Sequence, residues 1–258
     1  MKTVIFAGGF GTRISEESHL KPKPMIEVGG KPILWHIMKI YEHYGHTEFI
    51  ICLGYKGYVI KEYFMNYFMH NADVTIDLEK NETEIHASKA ESFKITLVET
   101  GLHTKTAGRL KRIKQYVDGE RFMLTYGDGL SDLDINDLLS FHEKHGKIAT
   151  VTTILPEGKF GAISTNKDGV VEHFMEKPKG DGSWINGGFF VLEPEVFKYL
   201  DGNMDDVMWE ESPLHELTQD RQLVSYKYNG FWKCMDALRD KMQLEQMWNS
   251  EKTPWKKW

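Results

Sequence analysis

Thr3-Val4-Ile5-Phe6-Ala7 runs straight into Gly8-Gly9-Phe10-Gly11-Thr12-Arg13, and Lys21-Pro22-Lys23-Pro24-Met25 follows a few residues later. The first five of these residues are apolar and β-prone, which predicts a buried first strand of an α/β sheet. Three glycines then fall within four positions. Without a Cβ, glycine reaches positive φ and lets backbone N–H groups come close to a ligand. Successive N–H groups in such a loop make a concave anion site. Thr12 adds a hydroxyl and Arg13 a permanent, planar cation. Each proline fixes its own φ and biases the residue before it towards extended backbone. Lys21 and Lys23 are therefore expected on one side of a stiff segment, and the stretch reads as a grip for several phosphates. It is not a P-loop, which needs Gly-x-x-x-x-Gly-Lys-Ser/Thr. Nor is it the dinucleotide fingerprint, because Ile14 stands where the third glycine would fall.

The chain has 258 residues, 41% hydrophobic and 12% aromatic, enough for a sizeable core. Its formal net charge of −6 gives no support to general nucleic-acid binding, and the basic residues near the N-terminus fit a small polyanion better. The sequence shows neither a leader pattern nor an apolar run of membrane length, so a cytoplasmic location is expected. Cys52 and Cys234 lie in apolar runs without metal-like spacing and read as buried free thiols in a reducing compartment.

Strand and helix patterns alternate along the rest of the chain. Ile33 to Tyr41 carries a helical stripe opened by Pro32 and stopped by Gly45, and Glu48 to Leu53 is the next strand. A strand–helix–strand cycle of that length implies parallel pairing. Val74 to Leu78 and Glu82 to His86 read as an exposed hairpin, and Ile95 to Val98 as a strand. Thr104 to Arg112 opens a helix, whose N-terminus offers free N–H groups; a plain capped surface helix is the alternative. Phe122 to Thr125 is a buried strand with Tyr126-Gly127-Asp128-Gly129 at its carboxyl end, where ligands of open α/β sheets sit. Asp128 is placed for Mg²⁺, which takes one or two carboxylates plus substrate phosphates; a turn aspartate is the plainer reading. Asn186 has donors and an acceptor for hydroxyls, while Trp184 is either an apolar wall or core. By periodicity alone Asp236 is the N-cap of a last helix, Leu238 to Trp248. The aromatic and basic tail, Pro254 to Trp258, is expected to pack on a neighbour or fray.

Gly8 to Arg13 with Lys23-Pro24, Tyr126-Gly127-Asp128-Gly129, Glu176-Lys177-Pro178, Asn186-Gly187-Gly188 and Met235-Asp236 together resemble the sugar-1-phosphate nucleotidylyltransferase family, from one end of the chain to the other. The resemblance implies an α/β fold: a Rossmann-like mixed, mostly parallel central sheet flanked by helices, with small β-hairpin excursions. It implies a single nucleotidyltransferase domain over 1–258, with 1–155 mainly the nucleotide half and 156–258 mainly the sugar-phosphate half and C-terminal helix. The implied reaction is Mg²⁺-dependent: CTP and glucose 1-phosphate give CDP-glucose and pyrophosphate. The choice of CTP over UTP or dTTP rests on overall likeness, not on one motif.

By the same resemblance, the nucleotide falls to Ala7, Gly8, Gly9, Phe10, Gly11, Thr12, Arg13, Lys23, Thr106, Gly108, Arg109 and Gly127. The sugar phosphate falls to Glu176, Lys177, Trp184, Asn186 and Gly187, and the metal to Asp128 and Asp236. Arg13, Lys23 and Asp128 are the expected catalytic residues. Family members read Thr-Gly-Gly-Arg where this chain has Thr106-Ala107-Gly108-Arg109. A homo-oligomer is implied, a hexamer among the options, with no nucleic-acid or membrane partner and with CDP-glucose feeding deoxysugars of surface polysaccharide such as the lipopolysaccharide O-antigen. A non-catalytic nucleotide-sugar sensor would keep the glycine loop but lose Asp128, Lys23 or Arg13. A glycosyltransferase would need an Asp-x-Asp motif; Asp132-Leu133-Asp134 has that form, but beside a helix start, and reads as capping.

Overall fold

The computed structural model describes residues 1–88, 90–117, 119–156, 162–175 and 183–258. Seven strands form the central sheet: β1 (Lys2–Phe6), β2 (Glu48–Leu53), β3 (Lys94–Glu99), β4 (Phe122–Tyr126), β5 (Ala149–Ile154), β6 (Ile185–Leu192) and β7 (Leu223–Tyr228). Their order is β7-β5-β6-β4-β1-β2-β3. β1 lies parallel to β2 and β4, β2 to β3, and β5 to β7, while β6 runs antiparallel to β4 and β5. The expected mixed, mostly parallel sheet is therefore present. Val4 and Phe6 feed one buried cluster and Ile5 and Ala7 the other, which is how a strand covered on both faces reads as one continuous apolar run.

Among the described residues, six helices of seven residues or more cover the faces: α1 (Ile33–His43), α2 (Gly57–His70), α3 (Thr106–Arg112), α4 (Ile135–His145), α5 (Ser212–Gln219) and α6 (Leu238–Asn249). Residues of α1, α2, α4 and α6 enter the Ile5 cluster, and residues of α3 and α5 the Val4 cluster. From β1 the chain builds outward to β2 and β3 on one side, then crosses to β4 on the other. That reversal opens a crevice beyond the carboxyl ends of β1 and β4, the place where open α/β sheets bind ligands.

Two hairpins stand off the sheet. The ribbon of Ala72–Asp77 and Glu82–Ser88 leaves Ile76 and Leu78 exposed, and the ribbon of Ala162–Thr165 and Val171–Met175 is exposed throughout its second strand. A further short ladder matters more for the site. Gly129–Ser131, just after β4, pairs antiparallel with Trp232–Cys234. This contact between distant parts of the chain carries Asp236 to Asp128.

The C-terminal tail folds back on its own chain. Trp255 is fully buried, stacked on Phe231, and its indole N–H donates to His36 Nδ1 at 3.4 Å. Trp258 packs edge-on against Trp35 of α1. Neither fraying nor a neighbouring molecule is needed, because α1 presents Trp35 and His36 as a ready aromatic seat.

Candidate active site

Two loops meet in the crevice: Gly8–Arg13 after β1, and Gly127-Asp128 after β4. The Gly127 N–H donates to Phe6 O at 3.0 Å and the Met235 N–H to Asp128 O at 2.9 Å, so both partners are set by backbone. Lys23 enters from a single 3-10 turn, Lys23–Met25, entered through Pro22 at φ −65° and ψ 148°. Its Nζ lies 2.5 Å from Asp128 Oδ2 and 2.5 Å from Asp236 Oδ1. Arg13 Nη1 adds a 2.8 Å contact to Asp236 Oδ2, on a side chain 75% exposed. Lys21 goes elsewhere, to Glu27 on the surface. The expectation that Lys21 and Lys23 point together is thus corrected. Alternation needs extended backbone at both lysines, and the helical turn begins at Lys23.

The charges within the cluster support one another. Burial works against the Lys23 ammonium, but the Asp128 charge and the hydrogen bonds to both carboxylates outweigh it, and its pKa lies above the ordinary lysine value. Burial alone would raise Asp236, yet its hydrogen bond to Lys23 and the charges of Lys23 and Arg13 hold it below the ordinary aspartate value. Asp236 is not the helix cap that periodicity offered. Ala237 holds the N-cap position of α6, and the carboxylate of Asp240 takes the N–H groups of Asp236 and Ala237 at 3.1 and 2.9 Å. The Asp236 side chain is thereby left to the site.

Cys234 departs from the reading of a plain core thiol. It is half-buried, and its Sγ and one oxygen each of Asp128 and Asp236 all lie within 4.8 Å of one another. Burial first and the Asp128 charge next push its thiol pKa up, so it remains a neutral thiol. The two carboxylates already converge on a positive charge, the Lys23 ammonium. This donor set fits a hard divalent cation, which takes carboxylate oxygens and leaves further positions for phosphate and water.

Beneath the glycine loop sits Arg109, buried on α3. Its guanidinium donates to Leu53 O and Thr100 Oγ1, both at 2.8 Å, and to Gly8 O at 3.0 Å. A Cβ on Gly8 would fall 2.1 Å from Arg109 Nη1, so glycine is needed here for the close approach of a side chain. Of Gly8, Gly9 and Gly11, only Gly11 adopts positive φ, at +65°. Arg109 therefore positions the loop, with every nitrogen that meets a partner committed to the protein. Thr106 holds the 208–210 segment, donating to Glu210 Oε2 at 3.1 Å and accepting from Trp209 N at 2.7 Å. Gly108 lets the 204–205 backbone pack against α3.

On the sugar side, Asn186 Nδ2 donates to the Tyr126 hydroxyl at 3.3 Å and Asn186 Oδ1 accepts from Gly188 N at 2.8 Å. Gly187 O accepts from Trp232 Nε1 at 2.7 Å, and Trp184 lies under the Lys227 ammonium. Gly188 has φ +81° in a register shift of β5 against β6, with the Tyr126 ring where its Cβ would stand. Glu176 and Lys177 lie outside the described residues, as does the turn at 157–161. Of the Asp-x-Asp pair, Asp134 has the capping role read from sequence, taking the N–H groups of Asn136 and Asp137 at the start of α4, whereas Asp132 caps no helix and instead accepts from Phe231 N at 2.7 Å and from the Tyr228 hydroxyl. Sequence reasoning passed over Tyr126 and Glu210. The Tyr126 hydroxyl hydrogen-bonds Glu210, and no short-range pattern links residues 84 positions apart.

Comparison with known proteins gives the following. A family model described as nucleotidyl transferase matches residues 2–233. A protein of Salmonella typhimurium named glucose-1-phosphate cytidylyltransferase is 55% identical over 259 aligned residues, which span 100% of both chains. A Bacillus subtilis protein named probable glucose-1-phosphate cytidylyltransferase is 47% identical, again over 100% of both chains. Among solved structures, a putative glucose-1-phosphate thymidylyltransferase from Bacillus anthracis superposes with a TM-score of 0.70 at 17% identity, covering 96% of this chain and 94% of that one; it supports the fold alone.

Proposed function

This chain belongs to the nucleotidyl transferase family, and from that membership we propose that it joins CTP to α-D-glucose 1-phosphate, forming CDP-glucose and pyrophosphate. The observation that carries the chemistry is the Lys23 ammonium between Asp128 and Asp236, at the crevice mouth beside Arg13. The choice of cytosine and glucose rests on full-length likeness to the two cytidylyltransferases. A sugar phosphate, with a second pKa of about 6, is ionised at neutral pH and needs no strong general base. One of its oxygens forms a bond to the α-phosphorus of CTP as the bond from that phosphorus to the β-phosphate oxygen breaks. The chain contributes position and charge, as in phosphoryl transfer generally.

Asp128 and Asp236 would hold Mg²⁺, which when bound supplies positive charge to the phosphates and lessens their mutual repulsion. Arg13 and Lys23 are the cations placed to bind the triphosphate: Arg13 offsets charge gathering on the leaving pyrophosphate, and Lys23 grips the α-phosphate and the attacking phosphate. The glycine loop, fixed from below by Arg109, binds the nucleotide through its backbone. Lys177 anchors the sugar phosphate, and Glu176, Asn186, Gly187 and Trp184 line the hexose. On this reading residues 1–155 serve mainly the nucleotide and 156–258 mainly the sugar phosphate, in one domain. The enzyme works in the cytoplasm, makes CDP-glucose for surface polysaccharide and self-associates. The outward apolar residues Ile76, Leu78 and Ile85 of the first hairpin support self-association. No helix among the described residues is long and apolar enough to cross a membrane.

Pyrophosphate release with Mg²⁺ and glucose 1-phosphate, run in parallel with CTP, UTP, dTTP, ATP and GTP, tests the reading. Release with CTP far above the others is expected. Release with UTP or dTTP instead overturns the base choice but keeps the chemistry. Silence from folded protein with all five overturns the reaction.

A further inference from the structure

Glu210 stands at the carboxyl edge of the sheet, apart from the Lys23 cluster, and its carboxylate is held unusually firmly for an exposed side chain. The turn that carries it is pinned on both sides. Trp209 is fully buried against Phe190, and Met208 N donates to Glu211 Oε2 at 2.9 Å. The Glu210 carboxylate then accepts the Tyr126 hydroxyl on Oε1 and the Thr106 hydroxyl on Oε2. Tyr126 is oriented in turn by the Asn186 amide and by its ring resting over Gly188.

Both anchors are hydroxyls that donate to the carboxylate, and neither brings a positive charge to it. An ionised carboxylate accepts about four hydrogen bonds and donates none, and two of those sites are used. The Glu210 side chain is exposed, beside Thr106 at the start of α3 and beside Tyr126 at the end of β4, two residues before Asp128 in the chain. A substrate that covers this carboxylate must offer it a donor. An acceptor set against it would leave a desolvated, unpaired charge, which is costly.

We propose that Glu210, positioned by Tyr126 and Thr106, is a specificity-determining residue that accepts a hydrogen bond from a donor group of the bound substrate and rejects substrates with an acceptor there. This rests on the transfer reaction proposed above. Two groups of those substrates share the required chemistry, the exocyclic 4-amino group of cytosine and a hexose hydroxyl. Uracil, with oxygen at that ring position, presents an acceptor.

The test is steady-state kinetics of wild type, Glu210→Gln and Tyr126→Phe, with CTP and UTP at saturating glucose 1-phosphate, then with varied glucose 1-phosphate. Glutamine keeps the size and one acceptor but adds a donor, so the fold is preserved. A fall of about tenfold or more in the CTP-to-UTP ratio of kcat/KM for Glu210→Gln assigns the carboxylate to the base. A comparable rise in the KM for glucose 1-phosphate, with the base ratio unchanged, assigns it to the sugar. Tyr126→Phe moves the same parameter in the same direction by a smaller factor. The inference is overturned if both parameters stay within about twofold of wild type, or if kcat falls equally for every substrate. If wild type turns over no nucleotide, the reaction itself has failed. Calorimetric titration of CTP, UTP and glucose 1-phosphate into wild type and Glu210→Gln then judges Glu210 by the same ratios.

Discussion

Lys23→Met removes an ammonium from between two carboxylates while keeping the length of the side chain. In the wild type that ammonium lies 2.5 Å from each carboxylate on a side chain only 12% exposed. Breaking a buried pair by removing one partner costs about 3–5 kcal/mol. The cost here should be lower, about 2–3 kcal/mol, because Asp236 is one-third open to solvent and keeps Arg13 at 2.8 Å. For a chain of this size each kcal/mol moves the melting temperature by roughly 2–4 °C, so the variant should melt about 4–12 °C lower in EDTA. A divalent cation bound between Asp128 and Asp236 would take over the role of the missing charge. Saturating Mg²⁺ without nucleotide should then restore most of the loss in the variant and add little to wild type, whose Lys23 must first be displaced. Mn²⁺ binding, followed by electron paramagnetic resonance, should be at least about tenfold tighter in the variant, or ~1.4 kcal/mol. Catalysis is still expected to fall by about 10²–10³. A variant that melts with wild type in EDTA, or a Mg²⁺ effect equal in both proteins, refutes the idea that lysine and metal share one seat.

Arg109→Ala removes hydrogen bonds to Leu53 O, Thr100 Oγ1 and Gly8 O, but Leu53 O keeps the Thr100 N–H and hydroxyl and Gly8 O keeps the Tyr55 N–H, so each lost bond costs only about 0.5–1.5 kcal/mol; urea unfolding should show the loss, and nucleotide KM should rise as the glycine loop loosens. An unchanged KM would make Arg109 purely structural. His36 is buried with its Nε2 donating to Val28 O and its Nδ1 accepting from Trp255, and burial lowers its pKa to about 4. The unfolded chain takes up this proton near pH 6.5, so stability is full above that value and falls as pH drops towards about 4, by roughly 3 kcal/mol in urea midpoints. His36→Gln should flatten that slope. Trp255→Ala should cost about 3–5 kcal/mol, and a loss under 1 would mean that the tail is not anchored as described.

The parts of this fold that the sequence makes legible are local. The apolar strand, the glycine loop and the turn after β4 are continuous stretches whose chemistry and backbone needs coincide, so Arg13 and Asp128 stand where the motif puts them. Lys23 and Lys21 mark the limit of that reading: a two-residue spacing decides a shared side only if the backbone stays extended, and a single helical turn separates them. The sequence shows Arg109 only as a basic residue at a helix start that the family resemblance gives to the nucleotide, and its contacts are to carbonyls of the loop after β1 and of the end of β2. Cys234 and Asp236 reach Asp128 through a three-residue ladder between segments about a hundred positions apart. The tail depends on His36 and Trp35 and the Glu210 network on Tyr126, contacts that no periodicity announces. Each of these was hidden for one physical reason, that its partners come from distant sequence.

The central claim is that a nucleotidyl group passes intact to a sugar phosphate. ³¹P NMR of the protein with CTP, glucose 1-phosphate and Mg²⁺ follows every phosphorus at once. The account predicts matched growth of the two coupled CDP-glucose resonances and one equivalent of free pyrophosphate, with reversal when pyrophosphate is added. Loss of CTP to inorganic phosphate or CMP while the glucose 1-phosphate signal stays constant would contradict it.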